Sequence, residues 1–99
     1  MRRGTTPTHI FNVDIDLTGA DEIYLTYKQG SKVIVEFDRS NIEVEEDKLT
    51  VKLTQEETLL FKLTPQVRIQ IRAKFPSGLA VASNIISTNA EEILKDGEI

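Results

Sequence analysis

The chain predicts an all-β protein, an antiparallel, Ig-like β-sandwich of about seven short strands with one short capped helical turn near residues 55–61. Three observations carry this. Apolar and polar residues alternate with period two, most strictly where Val67, Ile69, Ile71 and Ala73 interleave with Arg68, Gln70, Arg72 and Lys74. Turn formers recur between the alternating segments. No helical run is long enough to cross between parallel strands, so the strands pair antiparallel.

Residues 1–7 read as a flexible N-terminal arm, since Pro7 lacks a backbone donor and the neighbouring glycine and threonines build no periodic face. From Thr8 a strand begins, with Phe11, Val13, Ile15 and Leu17 facing inward and Ile10 out of phase. After the Thr18–Asp21 turn, Ile23, Leu25 and Tyr27 alternate with Tyr24, Thr26 and Lys28. Gln29-Gly30-Ser31 closes a hairpin, where glycine adopts positive φ without steric cost. Val33, Val35 and Phe37 continue the inward face, and Ile34 falls outward.

Arg39-Ser40-Asn41 breaks the pattern before two short strands around Ile42–Val44 and Leu49–Leu53. Thr54-x-x-Glu57 is a capping box. The threonine hydroxyl accepts from the N3 amide, the glutamate reaches back to the cap amide, and Glu56 and Glu57 suit the positive helix end. Thr64-Pro65 limits the helix to one or two turns. Phe75-Pro76-Ser77-Gly78 predicts a type I turn, and residues 79–88 supply one partner strand or two, with Val81, Ile85 and Ile86 available for packing. Residues 8–89 form the sandwich. Residues 90–99 are a tail or a short helix, with a second capping pattern at Thr88-x-x-Glu91 and Gly97 as a stop.

A chain of 99 residues suits one domain, which buries roughly two-thirds of its unfolded surface. There is no cysteine, hence no disulfide or thiolate metal site. The basic N-terminus is followed by no apolar run of signal-peptide length, and no segment approaches the ~18 apolar residues of a membrane span. With 12 basic and 16 acidic residues the net charge is −4, which argues against nonspecific nucleic-acid binding. Arg2 and Arg3 are the residues that could touch phosphate.

No acid, base, nucleophile, phosphate loop or metal set is assembled in the sequence. Asp14-x-Asp16-x-Thr18-Gly19 copies the first half of a calcium loop, but Leu25 stands at the twelfth position, where a bidentate glutamate is needed. Glu43, Glu45, Glu46 and Asp47 read as a polar hairpin tip whose charge discourages edge-to-edge pairing. His9, the one histidine, reads as a surface residue at a strand start. Arg68, Gln70 and Arg72 share one side of the cleanest strand. They are either an ordinary wet sheet face with cross-strand partners such as Glu36 or Glu45, or a polar interaction face that includes Tyr24.

MRRGTTPTHIF, YLTYKQGSKVIVE, LTQEETLLF and VRIQIRAKFPSGLAVASNI together resemble a family of small phage and prophage proteins of Gram-positive bacteria, over nearly the whole chain. Members are similar to the N-terminal β-sandwich modules of phage baseplate and tail proteins. The resemblance implies a non-catalytic virion structural module, tail or baseplate associated and made in the bacterial host cytoplasm. It brings no catalytic residue and no cofactor. The implied partners are other phage structural proteins or a second copy, with neither nucleic acid nor membrane. The expected contacts run through a sheet face or an edge strand, at Arg68, Gln70, Arg72, Tyr24, Arg2 and Arg3. The alternative is a carbohydrate-binding β-sandwich, for which Tyr24 is the candidate outward ring.

Overall fold

The structure is a computed structural model that describes residues 1–99. It is all-β, with two antiparallel sheets and a short helix. The strands are β1 (Thr8–Asn12), β2 (Glu22–Gln29), β3 (Lys32–Asp38), β4 (Glu43–Val44), β5 (Lys48–Lys52), β6 (Val67–Lys74), β7 (Ala80–Ala82) and β8 (Ile86–Thr88). Helix α1 spans Gln55–Leu59. The smaller sheet has the order β1-β5-β4. The larger has the order β3-β2-β6-β7, with β8 also paired to β6.

The centre of the larger sheet is the ladder between β2 and β6, unbroken from Glu22 opposite Lys74 to Gln29 opposite Val67. Strict alternation in both strands makes this ladder continuous. Ile23, Leu25, Tyr27, Val67, Ile69 and Ile71 all face inward and are buried. From the smaller sheet, Phe11, Leu49 and Val51 close the core, and Phe61 after α1 packs edge-on against Tyr27 at 5.9 Å.

Helix α1 begins as its sequence predicts. Glu57 N donates to Thr54 Oγ1 at 3.1 Å and Thr54 N donates to Glu57 Oε1 at 2.8 Å. The Phe75–Gly78 turn also forms, with Gly78 N donating to Phe75 O at 2.9 Å and Gly78 at φ 91°.

Several expectations need correction. The strand expected to run from Thr8 to Leu17 stops at Asn12; Leu17 is still buried, but Ile15 is 46% exposed. A bulge between Tyr27 and Lys28 sets Lys28 opposite Val33 rather than Ile34. The extra residue in β3 reverses the facing that alternation assigned: Val33 is 48% exposed, and Ile34 packs against the core. Of the one or two strands expected in residues 79–88, two short ones form, but Ile85 and Ile86, expected to be available for packing, remain exposed.

The N-terminal arm, expected to be flexible, is docked. Glu91 N donates to Met1 O at 2.8 Å, Arg3 N to Glu91 O at 3.2 Å, and Leu53 N to Pro7 O at 3.0 Å, while Thr58 Oγ1 donates to Thr5 O at 2.9 Å. No helix forms in residues 90–99. Thr88 ends β8 and Glu91 pairs with Arg2, so the second capping pattern is used for strand contacts instead.

Candidate interaction surface

Residues that alternate with the core on β2 and β6 form the outer face of the larger sheet. Register sets Tyr24 beside Arg72, Thr26 beside Gln70 and Lys28 beside Arg68. These pairs form consecutive rows on one face, so Tyr24, Arg68, Gln70 and Arg72 do come together. Arg68 and Arg72, four residues apart on β6, are separated by about 13 Å at the strand rise.

The cross-strand partners differ from those expected. Glu36 lies on β3, beyond β2, and accepts from Thr26 Oγ1 at 2.9 Å. Glu45 follows β4 of the other sheet and pairs with Lys48 at 3.8 Å. The ion pairs of the chain are Lys48–Glu45 and the contacts of Glu91 with Arg2 and the N-terminal ammonium, so Lys28, Arg68 and Arg72 have no carboxylate partner. Gln70 Nε2 donates to Ser83 O at 3.0 Å, which anchors the middle of the row. Tyr24 is exposed and donates its hydroxyl to Glu22 Oε1 at 3.1 Å; this bond, with the nearby negative charge, raises its pKa.

Arg2 and Arg3 belong elsewhere. Arg2 bonds Glu91 Oε2 at 3.0 Å and Glu92 O at 2.7 Å, and Arg3 donates to Leu59 O at 3.1 Å. Both guanidinium groups tie chain segments together, and the buried Arg3 Nε has no hydrogen-bond partner. At the calcium-like segment, Asp16 Oδ1 accepts from both Thr18 N and Thr18 Oγ1. Those bonds stabilise the carboxylate and lower its pKa. The segment is thus a self-capped turn, and no group of three acidic or histidine side chains converges there.

His9 departs most from its sequence reading. It is half-buried rather than a free surface residue, with its ring stacked on Tyr27 at 5.8 Å and Nδ1 2.7 Å from the Tyr27 hydroxyl. Burial, and then the N-terminal ammonium charge, lower the His9 pKa; burial, and then the Glu57 charge, raise that of Tyr27. The contact joins an imidazole nitrogen to the phenol oxygen, and the imidazole tautomer sets which of the two donates. This contact crosses from β1 to β2 and ties the two sheets together. Residues 18 apart gave no local signal of it.

The remaining feature is a groove on the side of the sandwich where β1 and the β7–β8 edge face each other. Two hollows lie along it, of about 420 Å³ and 240 Å³. Ile71 of β6 lines the larger from below, between the segment after β1 and Val81 and Ile86, and Ile69 lines the smaller, between β1 on one side and Thr88 with the docked Met1 side chain on the other. No protein-family model, curated protein or solved structure matches the chain.

Proposed function

We propose that this chain is a non-catalytic interaction module of a phage or prophage particle, associated with the tail or baseplate. It is made in the host cytoplasm and acts through sheet-face or edge-strand contacts with other structural proteins or with further copies of itself. The observation that carries the interaction part is the platform on β2 and β6. Lys28 and Arg68 stand directly opposite each other, with Arg72 beyond, and none of the three has an ion-pair partner. Like charges opposed across a ladder weaken it. A partner bringing carboxylates to that face would remove the repulsion. The particle assignment rests on the sequence resemblance.

Mass spectrometry of purified particles tests this reading. The chain should be present at a fixed copy number, and the double variant Arg68→Glu with Arg72→Glu should be depleted while remaining folded. Absence of the parent chain from particles overturns the virion reading. The carbohydrate-binding alternative has one supporting observation, exposed Tyr24 beside Arg72. Silence on a glycan array would retire it.

A further inference from the structure

We propose that the groove accepts an extended segment of another polypeptide, which adds a strand to the free edge of β1 and sets alternate apolar side chains over Ile69 and Ile71. This rests on the interaction-module reading and names where a partner docks.

The backbone of β1 is the first argument. Leu53 N donates to Pro7 O and Val13 N donates to Asp47 O, at the two ends of the register that pairs β1 with β5. In an antiparallel ladder, residues bonded to the partner strand alternate with residues that are not. His9 and Phe11 thus bond to β5, while Thr8, Ile10 and Asn12 each turn an N–H and a C=O outward. A segment laid along β1 would meet all of these groups.

Edge chemistry is the second argument. Sheet edges are normally blunted by charge, bulges or shortness. β3 carries Lys32, Glu36 and Asp38 and is bulged. β4 has two residues, one of them Glu43. β7 and β8 have three residues each, and between them Ser83 N still donates to Ile71 O while the Ser83 hydroxyl, in place of a backbone carbonyl, accepts from Ile71 N. β1 has five residues, no bulge and no Lys, Arg, Asp or Glu, and its Ile10 is 58% exposed.

The shape of the groove selects the occupant. β6 lines it beneath β1, and β7 and β8 lie one strand further out, past the end of the smaller sheet. A second sandwich joined to β1 edge to edge would need its own β6 in the space that β7 and β8 hold. A lone strand fits over that ledge. Ile69 and Ile71 are two residues apart, which matches the repeat of side chains on one face of a strand. Asp14 lines the same groove and has no ion-pair partner, so the occupant carries a basic residue at that end. The chain's own tail does not have this pattern, because Ile93 and Leu94 are adjacent.

The probe is an acetylated synthetic peptide of alternating valine and threonine with one terminal lysine, titrated into the 15N- and methyl-labelled protein. The expected result is shifts at the amides of Thr8, Ile10 and Asn12 and at the methyls of Ile69 and Ile71. Ile10→Pro removes one outward donor without breaking the β5 ladder. It should weaken binding about fivefold, the worth of one backbone hydrogen bond. Ile86→Lys, at an exposed position on the groove wall, should weaken it through charge and bulk, and Asp14→Asn should remove its salt dependence. No shift at about 1 mM peptide, a weaker affinity than any functional strand contact would need, overturns the proposal. So do shifts confined to β3, or unchanged binding by both Ile10→Pro and Ile86→Lys. Self-association abolished by Ile10→Pro would also overturn it, in favour of a second copy. Peptide binding by a chain absent from particles would keep the groove and retire the virion reading.

Discussion

Replacing Gln29 with leucine should destabilise the fold far more than its place at a hairpin end suggests. Gln29 is 6% exposed, and its amide is used three times. Nε2 donates to Lys62 O at 2.7 Å and to Pro65 O at 2.9 Å, and Oε1 accepts from Lys62 N at 2.9 Å. These bonds fasten the loop between α1 and β6 to the end of β2. Leucine keeps the volume and removes all three. At about 1 kcal/mol for each bond the loss is about 3 kcal/mol, a large share of the 5–15 kcal/mol that holds a domain of this size. The melting temperature should fall by about 12 °C or more. Gln70→Leu is the internal control, since its half-exposed amide makes a single bond to Ser83 O, worth about 1 kcal/mol. Urea titrations of both variants against the parent measure the difference. A Gln29→Leu loss below 1 kcal/mol, or one no larger than that of Gln70→Leu, would refute the view that this amide fastens the loop.

Two further outcomes follow from burial. His9 titrates at a lower pH in the fold than in the unfolded chain, so the unfolded chain binds more protons in that window. Its contribution is fully present above the ordinary histidine pKa of about 6.5 and is lost as pH falls through the lowered folded value. Urea stability should therefore decline from about pH 7.5 to about pH 5.5 (about one unit above and below that value), and the decline should shrink in His9→Gln; equal slopes would refute the assignment. Leu25→Ala, at a fully buried position on the central ladder, should cost about 3–5 kcal/mol, while Leu94→Ala, at 98% exposure, should change stability by less than about 0.5 kcal/mol. Comparable losses in the two variants would contradict the placement of the core.

What sequence alone determines here is local. The alternation of Val67–Ala73 fixes both faces of β6, the Thr54/Glu57 pair fixes the start of α1, and Pro76 with Gly78 fixes the turn after Lys74. Each is read from neighbours within a few residues, where the period of side-chain facing and the chemistry of caps operate. Arg68, Gln70 and Arg72 are legible as one side of β6 for the same reason, whereas Tyr24 joins them only through the pairing of β2 with β6. The sequence is silent on how the strands are ordered, and there its readings fail. The bulge that turned Val33 outward depends on the pairing of β2 with β3. The His9–Tyr27 contact depends on β1 lying across from β2, the Arg2 guanidinium docks on residues some 90 positions away, and that of Arg3 docks on Leu59, 56 positions away. The groove beside β1 exists because one sheet is a strand wider than the other on that side. Only the tertiary structure decides that, because alternation says which side chains a strand buries and carries no information about which edge is left unpaired.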